Sequence, residues 1–259
     1  MSIMNMYASA VKIMFSGWYF LLIPFLYPVL DIILAFIFPV ELIVQYNFLF
    51  FILILLGTMM SAFCWSFLAF FAHRSVLNKL GRKIEFSRNN ISIFVMLFLI
   101  FSLLINLPSL VQNYVFTTQT FFGLSSSEII FFALVNLAFT AILGLVVLSI
   151  AGILLPASMD AQQDGYRLSK SQGIAHSLQT AWLLLRFPGS VYIIWVTIHL
   201  AVWGYTGEPP ETSLLKAIIN QSGFAPVLFR YFANGLIVVL TAMVLSHRYV
   251  KIRSEMSLS

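Results

Sequence analysis

Taken only as a pattern of hydrophobic and polar positions, the chain is a series of long apolar runs separated by short polar stretches. Six runs are long enough to cross the roughly 30 Å of bilayer hydrocarbon: about 14–39, 48–72, 91–111, 129–154, 189–205 and 225–246. From Ile129 to Met159 there is no charge and almost no polar alternation, unlike the alternating strands of a transmembrane barrel. The pattern predicts an all-α polytopic membrane protein, a single integral domain over 1–259 with six transmembrane helices. The first run, from Ile13 to Val40, is interrupted only by Asp31. It is far longer than the core of a secretory signal, so it is expected to remain as a helix.

The pattern changes character at "ILLPASMDAQQDGYRLSKSQGIAHSLQTAWLLLRFPG", residues 153 to 189. Pro156 is expected to end the fourth span and Asp164-Gly165 to turn the polar run that follows. This leaves Asp160, Asp164 and Arg167 on the aqueous side. From about 171 to 186, residues Ile174, Leu178, Ala181, Trp182 and Leu185 share one arc of a helix and Gln172, His176 and Thr180 lie opposite. That spacing predicts an interfacial amphipathic helix before the fifth span, with Trp182 near the headgroups. Pro188 and Gly189 are expected to break or kink it. The stretch reads as a cytoplasmic elbow built from Pro156, Asp160, Asp164, Gly165, Arg167 and Trp182.

Composition agrees with the pattern. Hydrophobic residues make up 61%, charged residues 9%, and the mean hydropathy is +0.97, against about 25% charged content in soluble domains. The formal charge of +5 does not point to nucleic acid, because the basic residues sit in short loops beside apolar spans. All fourteen except Lys216 and Arg230 fall on one side if the N-terminus is cytoplasmic, the positive-inside bias. Both termini are therefore expected in the cytoplasm, and the expected partners are the lipid bilayer and other membrane-protein subunits. The lone cysteine, Cys64, lies inside the second span and reads as a small buried hydrophobe.

Candidate chemistry is sparse. Asp160 and Asp164 in "MDAQQDG" are four apart; on a helix they would present two carboxylates to a Mg²⁺-bound diphosphate. The only other acids on that side are Glu85 and Glu255, and a solvated turn is the competing reading. The four histidines lack metal-ligand spacing, and neither a serine nucleophile elbow nor a phosphate loop occurs, so no metal or cofactor is expected. Within the membrane, Asp31, Asn106, Asn136, His199, Arg230 and Asn234 fall within roughly 7–14 Å of the outer helix ends. They are expected either to line an outward-facing cavity or to hydrogen-bond between helices. The cytoplasmic half offers no comparable layer in the sequence.

Pro156, the Asp164-Gly165 turn, the helix from Ser171 to Arg186, the basic ending "LSHRYVKIR" and the N-terminal "YASAVKIMFSGWYFLL" together resemble a group of bacterial six-helix inner-membrane families. Those families are typified by the membrane domain found beside glycerophosphodiester phosphodiesterases. The likeness touches about a third of the chain and contains no chemical motif. It implies a fold and a bacterial inner-membrane location. No phosphodiesterase domain is expected alongside, so that catalysis is not carried over. The sequence favours a non-enzymatic accessory or scaffold subunit, or a protein of envelope homeostasis. A permease subunit of an ABC-type exporter, with a coupling helix in 73–90, is the first alternative. A Mg²⁺-dependent lipid-modifying enzyme using Asp160 and Asp164 is the second.

Overall fold

The computed structural model describes residues 3–17, 47–82, 84, 87–118, 126–160, 176–206 and 225–256. Among them the chain is helical throughout, apart from turns and one isolated antiparallel bridge between Ile84 and Asp160. The helices are α1 (Ile3–Ser16), α2 (Asn47–Lys79), α3 (Arg88–Thr118), α4 (Ser126–Ile150), α5 (Leu154–Met159), α6 (Ser177–Leu184), α7 (Ser190–Thr206) and α8 (Ala225–Met256). Five helical stretches are long and apolar enough to cross a membrane: Phe51–Lys79, Arg88–Val111, Phe131–Ile150, Ser177–Val202 and Phe229–Glu255. This is the architecture of a multi-pass membrane protein. The first expected span, beyond residue 17, lies outside the described residues.

Local sequence explains where the helices stop. The 33-residue α2 is about 50 Å long and the 32-residue α8 about 48 Å, so both outrun roughly 30 Å of hydrocarbon. Their extra turns carry Lys79 and Arg253 in the last turn, where cations meet the negative end of the helix dipole. α2 ends at Gly81, whose φ of +74° is left-handed, with Arg82 N–H reaching Leu77 O at 3.0 Å, a glycine-capped helix end. α3 begins under Ser87, whose Oγ accepts from Asn90 N–H at 3.1 Å.

Two prolines act upstream of themselves. Pro156 was expected to end the fourth span; instead α4 ends at Ile150, and Pro156 sits in the first turn of the short α5. The ring of a proline displaces the carbonyl four residues back, here Gly152, which is taken by Leu155 N–H at 3.1 Å. The helix therefore turns at Ala151–Ile153 and restarts with Pro156 where no N–H is needed. Pro188 does not separate an interfacial helix from the fifth span either. The chain passes through a single π-helical turn, Leu185–Gly189, and stays helical from Ser177 to Val202. The Tyr7 hydroxyl of α1 lies 2.5 Å from Ser190 Oγ, which donates to the Phe187 carbonyl at 2.7 Å. A side chain thus steps in where the widened turn loosens the ladder.

α8 is the central helix: half of its spanning window is buried inside the chain, against 6% for α4. One of its faces, Val239, Leu240, Met243 and Val244, packs with Ala10, Ile13 and Met14 of α1, Leu68 and Ala72 of α2, and Leu184 and Phe187. The other, Leu245, Tyr249 and Ile252, packs with Leu77, Phe94, Ile153, Leu155 and Met159. Between α2 and α8, buried His73 Nδ1 and Ser246 Oγ are 2.8 Å apart. Cys64 is buried as a free thiol in α2, as its small apolar character suggests.

Candidate functional site

The end of the bundle where α2 stops, α3 and α6 start, and α5 and α8 finish carries most of the basic residues among those described, and we call it the basic end. The last turns of α8 organise it by helical spacing. Tyr249 and Arg253, four apart, face α5, whereas Arg248, Lys251 and Glu255 follow one another on the face toward α6.

Asp160 caps α5 with an extended backbone, φ −77° and ψ 130°. Its side chain is 4% exposed and pairs with Arg253, and its Oδ2 also accepts from the Tyr249 hydroxyl at 2.8 Å. Arg253 Nη1 donates in turn to Tyr249 Oη at 3.2 Å. With Ile84 bridged to Asp160, this triad joins the α2–α3 turn, α5 and α8. A charge taken out of water this completely needs such partners.

The second face is less complete. Arg248 is 4% exposed, with Nε donating to Thr180 Oγ1 at 3.3 Å. Nη2 is buried and has no hydrogen-bond partner among the described residues. Glu255 is the carboxylate near enough to act on it electrostatically, and it also lies 3.8 Å from Lys251 Nζ and 3.9 Å from His176 Nε2. Beside Arg248 runs an open groove walled by Leu145 of α4, the α6 and π-turn residues Leu178, Ala181, Trp182, Leu183 and Leu185, and Lys251.

The elbow expectations divide. Pro156 is buried in α5. Asp160 is neither on a helix nor solvated, so the i, i+4 presentation of two carboxylates does not hold at its end. Asp164, Gly165 and Arg167 lie outside the described residues. Of the residues expected on the apolar arc, Leu178, Trp182 and Leu185 are exposed, while Ile174 lies outside the described residues. Thr180 on the opposite side is buried against Arg248, so the polar face looks inward at the bundle.

The far-half polar layer does not come together as one constellation among the described residues. Asn106 donates to Ser102 O of its own helix at 2.8 Å. Asn136 Nδ2 donates to Ser109 Oγ across α3 and α4 at 3.1 Å. His199 packs against Trp195, ring centroids 5.6 Å apart, and lies within electrostatic reach of Arg230. Arg230 is exposed and Asn234 half-buried. Asp31 lies outside the described residues. The expectation that the basic half lacks a polar layer is corrected. Among the described residues, buried polar side chains include Ser66, His73, Ser149, Ser158, Thr180, Ser246 and Arg248; of these, His73 and Ser246 meet across α2 and α8, and Arg248 and Thr180 across α8 and α6.

Reading by depth in the membrane missed Tyr249, Arg253, Arg248 and Thr180. The signal that finds them is scarcity: few carboxylates stand among many arginines at this end, and a carboxylate beside a buried helix end should be paired. No group of three His, Cys, Asp or Glu placed to hold a metal occurs among the described residues. No protein-family model, curated protein or solved structure matches the chain.

Proposed function

We propose that the chain is a non-enzymatic multi-pass protein of a bacterial inner membrane. It acts as an accessory or scaffold subunit or in envelope homeostasis, with six spans and with its basic end and both termini in the cytoplasm. The observation that carries this reading is the state of Asp160. A carboxylate meant for metal or substrate needs open lone pairs, whereas this one is buried and committed to Arg253 and Tyr249. Its charge joins α5 to α8, and the chemistry at this end is that of a structural tie. The lipid-modifying alternative loses one of its two aspartates in this way. The permease alternative draws no support from the described part of 73–90: His73–Lys79 are the last turns of α2, capped at Gly81, and Arg88–Asn90 the first of α3.

Purification of the full chain from its native membrane in mild detergent tests the proposal. A protein partner held at fixed stoichiometry, whose level falls when this chain is deleted, is the expected result. Recovery of the chain alone under all mild conditions contradicts a subunit role, and co-purification with a nucleotide-binding subunit would replace it with the permease reading. A Mg²⁺-dependent turnover of a lipid diphosphate, abolished in Asp160→Asn at unchanged thermal stability, would establish the enzyme instead.

A further inference from the structure

We propose that the groove between α4, α6 and α8 at the basic end is a binding site for one anionic phospholipid. Its phosphate is held by Arg248 and Lys251, and an acyl chain lies along Leu145, Leu178, Trp182 and Leu185. The inference is independent of the subunit role proposed above.

Three observations converge on it. Apart from Gln179, the wall is apolar and open along α6 from Leu178 to Leu185, about 10 Å of helix. Its side chains Leu178, Trp182 and Leu185 turn away from the protein, where a bilayer puts hydrocarbon. At the same groove stand two cations, one of them the buried Arg248, whose Nη2 has no hydrogen-bond partner among the described residues. A buried guanidinium with an idle donor is costly unless an acceptor reaches it, and a phosphate is the acceptor that suits the guanidinium fork.

Among the described residues Glu255 is the one acidic group found near Arg248 and Lys251, half-exposed and 3.8 Å from Lys251 Nζ, while Asp160 is already taken by Arg253. Two cations against one carboxylate leave the groove positive. Lys251, 60% exposed on its side chain, can give up that long contact and turn to the same phosphate. The level also fits. Arg248 and Lys251 lie beyond residue 246, where the apolar run of α8 gives way to charge, and the apolar wall follows α6 from Leu178 to Leu185, away from its start at the basic end, the order of headgroup and chain in a phospholipid.

Native mass spectrometry of the full chain in mild detergent tests the site, with phosphatidylglycerol titrated against phosphatidylcholine of identical chains. Preferential retention of one phosphatidylglycerol is expected. Lys251→Gln should lower the preference about fivefold, the factor for one cation near a phosphate surface, and Arg248→Gln should lower it further. Lys79→Gln, an exposed cation at the same end but outside the groove, should leave it unchanged. If Arg248→Gln fails to fold, Lys251→Gln and Lys79→Gln still decide. Equal retention of the two lipids, equal losses in Lys251→Gln and Lys79→Gln, or complete displacement by soluble glycerol phosphate would overturn the site.

Discussion

The basic half of the bundle and the far half are built from the same helices but held together differently. In the basic half, α1, α2, α5, α6 and α8 meet around side chains such as Met14, Leu68, Leu77, Leu240 and Leu245, all fully buried. His73 with Ser246, and Asp160 with Arg253 and Tyr249, tie them across helices. In the far half, large side chains such as Leu107, Val111, Phe131, Phe139 and Val202 face outward, and the polar contacts there include Asn136 to Ser109. Lipid tails are as apolar as leucine, so apolar area alone gives helices little reason to prefer one another. Where this chain holds helices in a fixed arrangement, it does so with close packing and with polar pairs removed from water.

That contrast ranks the expected effects of mutation. Asp160→Ala leaves the partly buried Arg253 without its carboxylate and should cost the most, about 3 kcal/mol, read as a fall in thermal unfolding temperature in detergent. A loss below 1 kcal/mol there would break the contrast. Gly152→Ala comes next, since a Cβ would stand 2.4 Å from Leu148 O and 3.0 Å from two Leu245 carbons. Relieving that clash should cost about 1–3 kcal/mol by the same assay. Tyr7→Phe removes one hydroxyl that ties α1 to the π-turn and should cost about 1 kcal/mol, with faster amide exchange confined to α1 as its signature. The smallest effect belongs to the far half, where Asn136→Ala should cost about 0.6 kcal/mol.

Much of the helical layout was legible in the sequence because hydrocarbon imposes a length on apolar runs, and the five described spans overlap the expected runs at 48–72, 91–111, 129–154, 189–205 and 225–246. The charge bias was also informative. Ile84, Asp160, Thr180, Arg248 and Arg253 belong to loops and ends that it assigned to one side, and they meet at one end of the bundle. Boundaries at Pro156 and Pro188 were misjudged for a common reason: a proline disturbs the carbonyl upstream of it, and neighbouring groups decide whether the helix breaks or widens. Leu155 N–H makes a turn in one case, and Ser190 and Tyr7 support a π-turn in the other. The polar cluster was missed because depth in the membrane was used as the guide to importance. Asp160 and Arg253 are 93 residues apart, and nothing in the spacing of either reveals the other. What does reveal them is the helical phase of Tyr249 and Arg253 on α8, together with the shortage of carboxylates at that end.

A pair of double-mutant cycles measured in the same detergent tests most directly whether buried polar ties hold the basic half, one cycle on Asp160 and Arg253 and the other on Ser109 and Asn136. The account predicts a coupling of about 2 kcal/mol or more for the first pair and less than 1 kcal/mol for the second. Additive losses at Asp160 and Arg253, or equal couplings in the two halves, would contradict it.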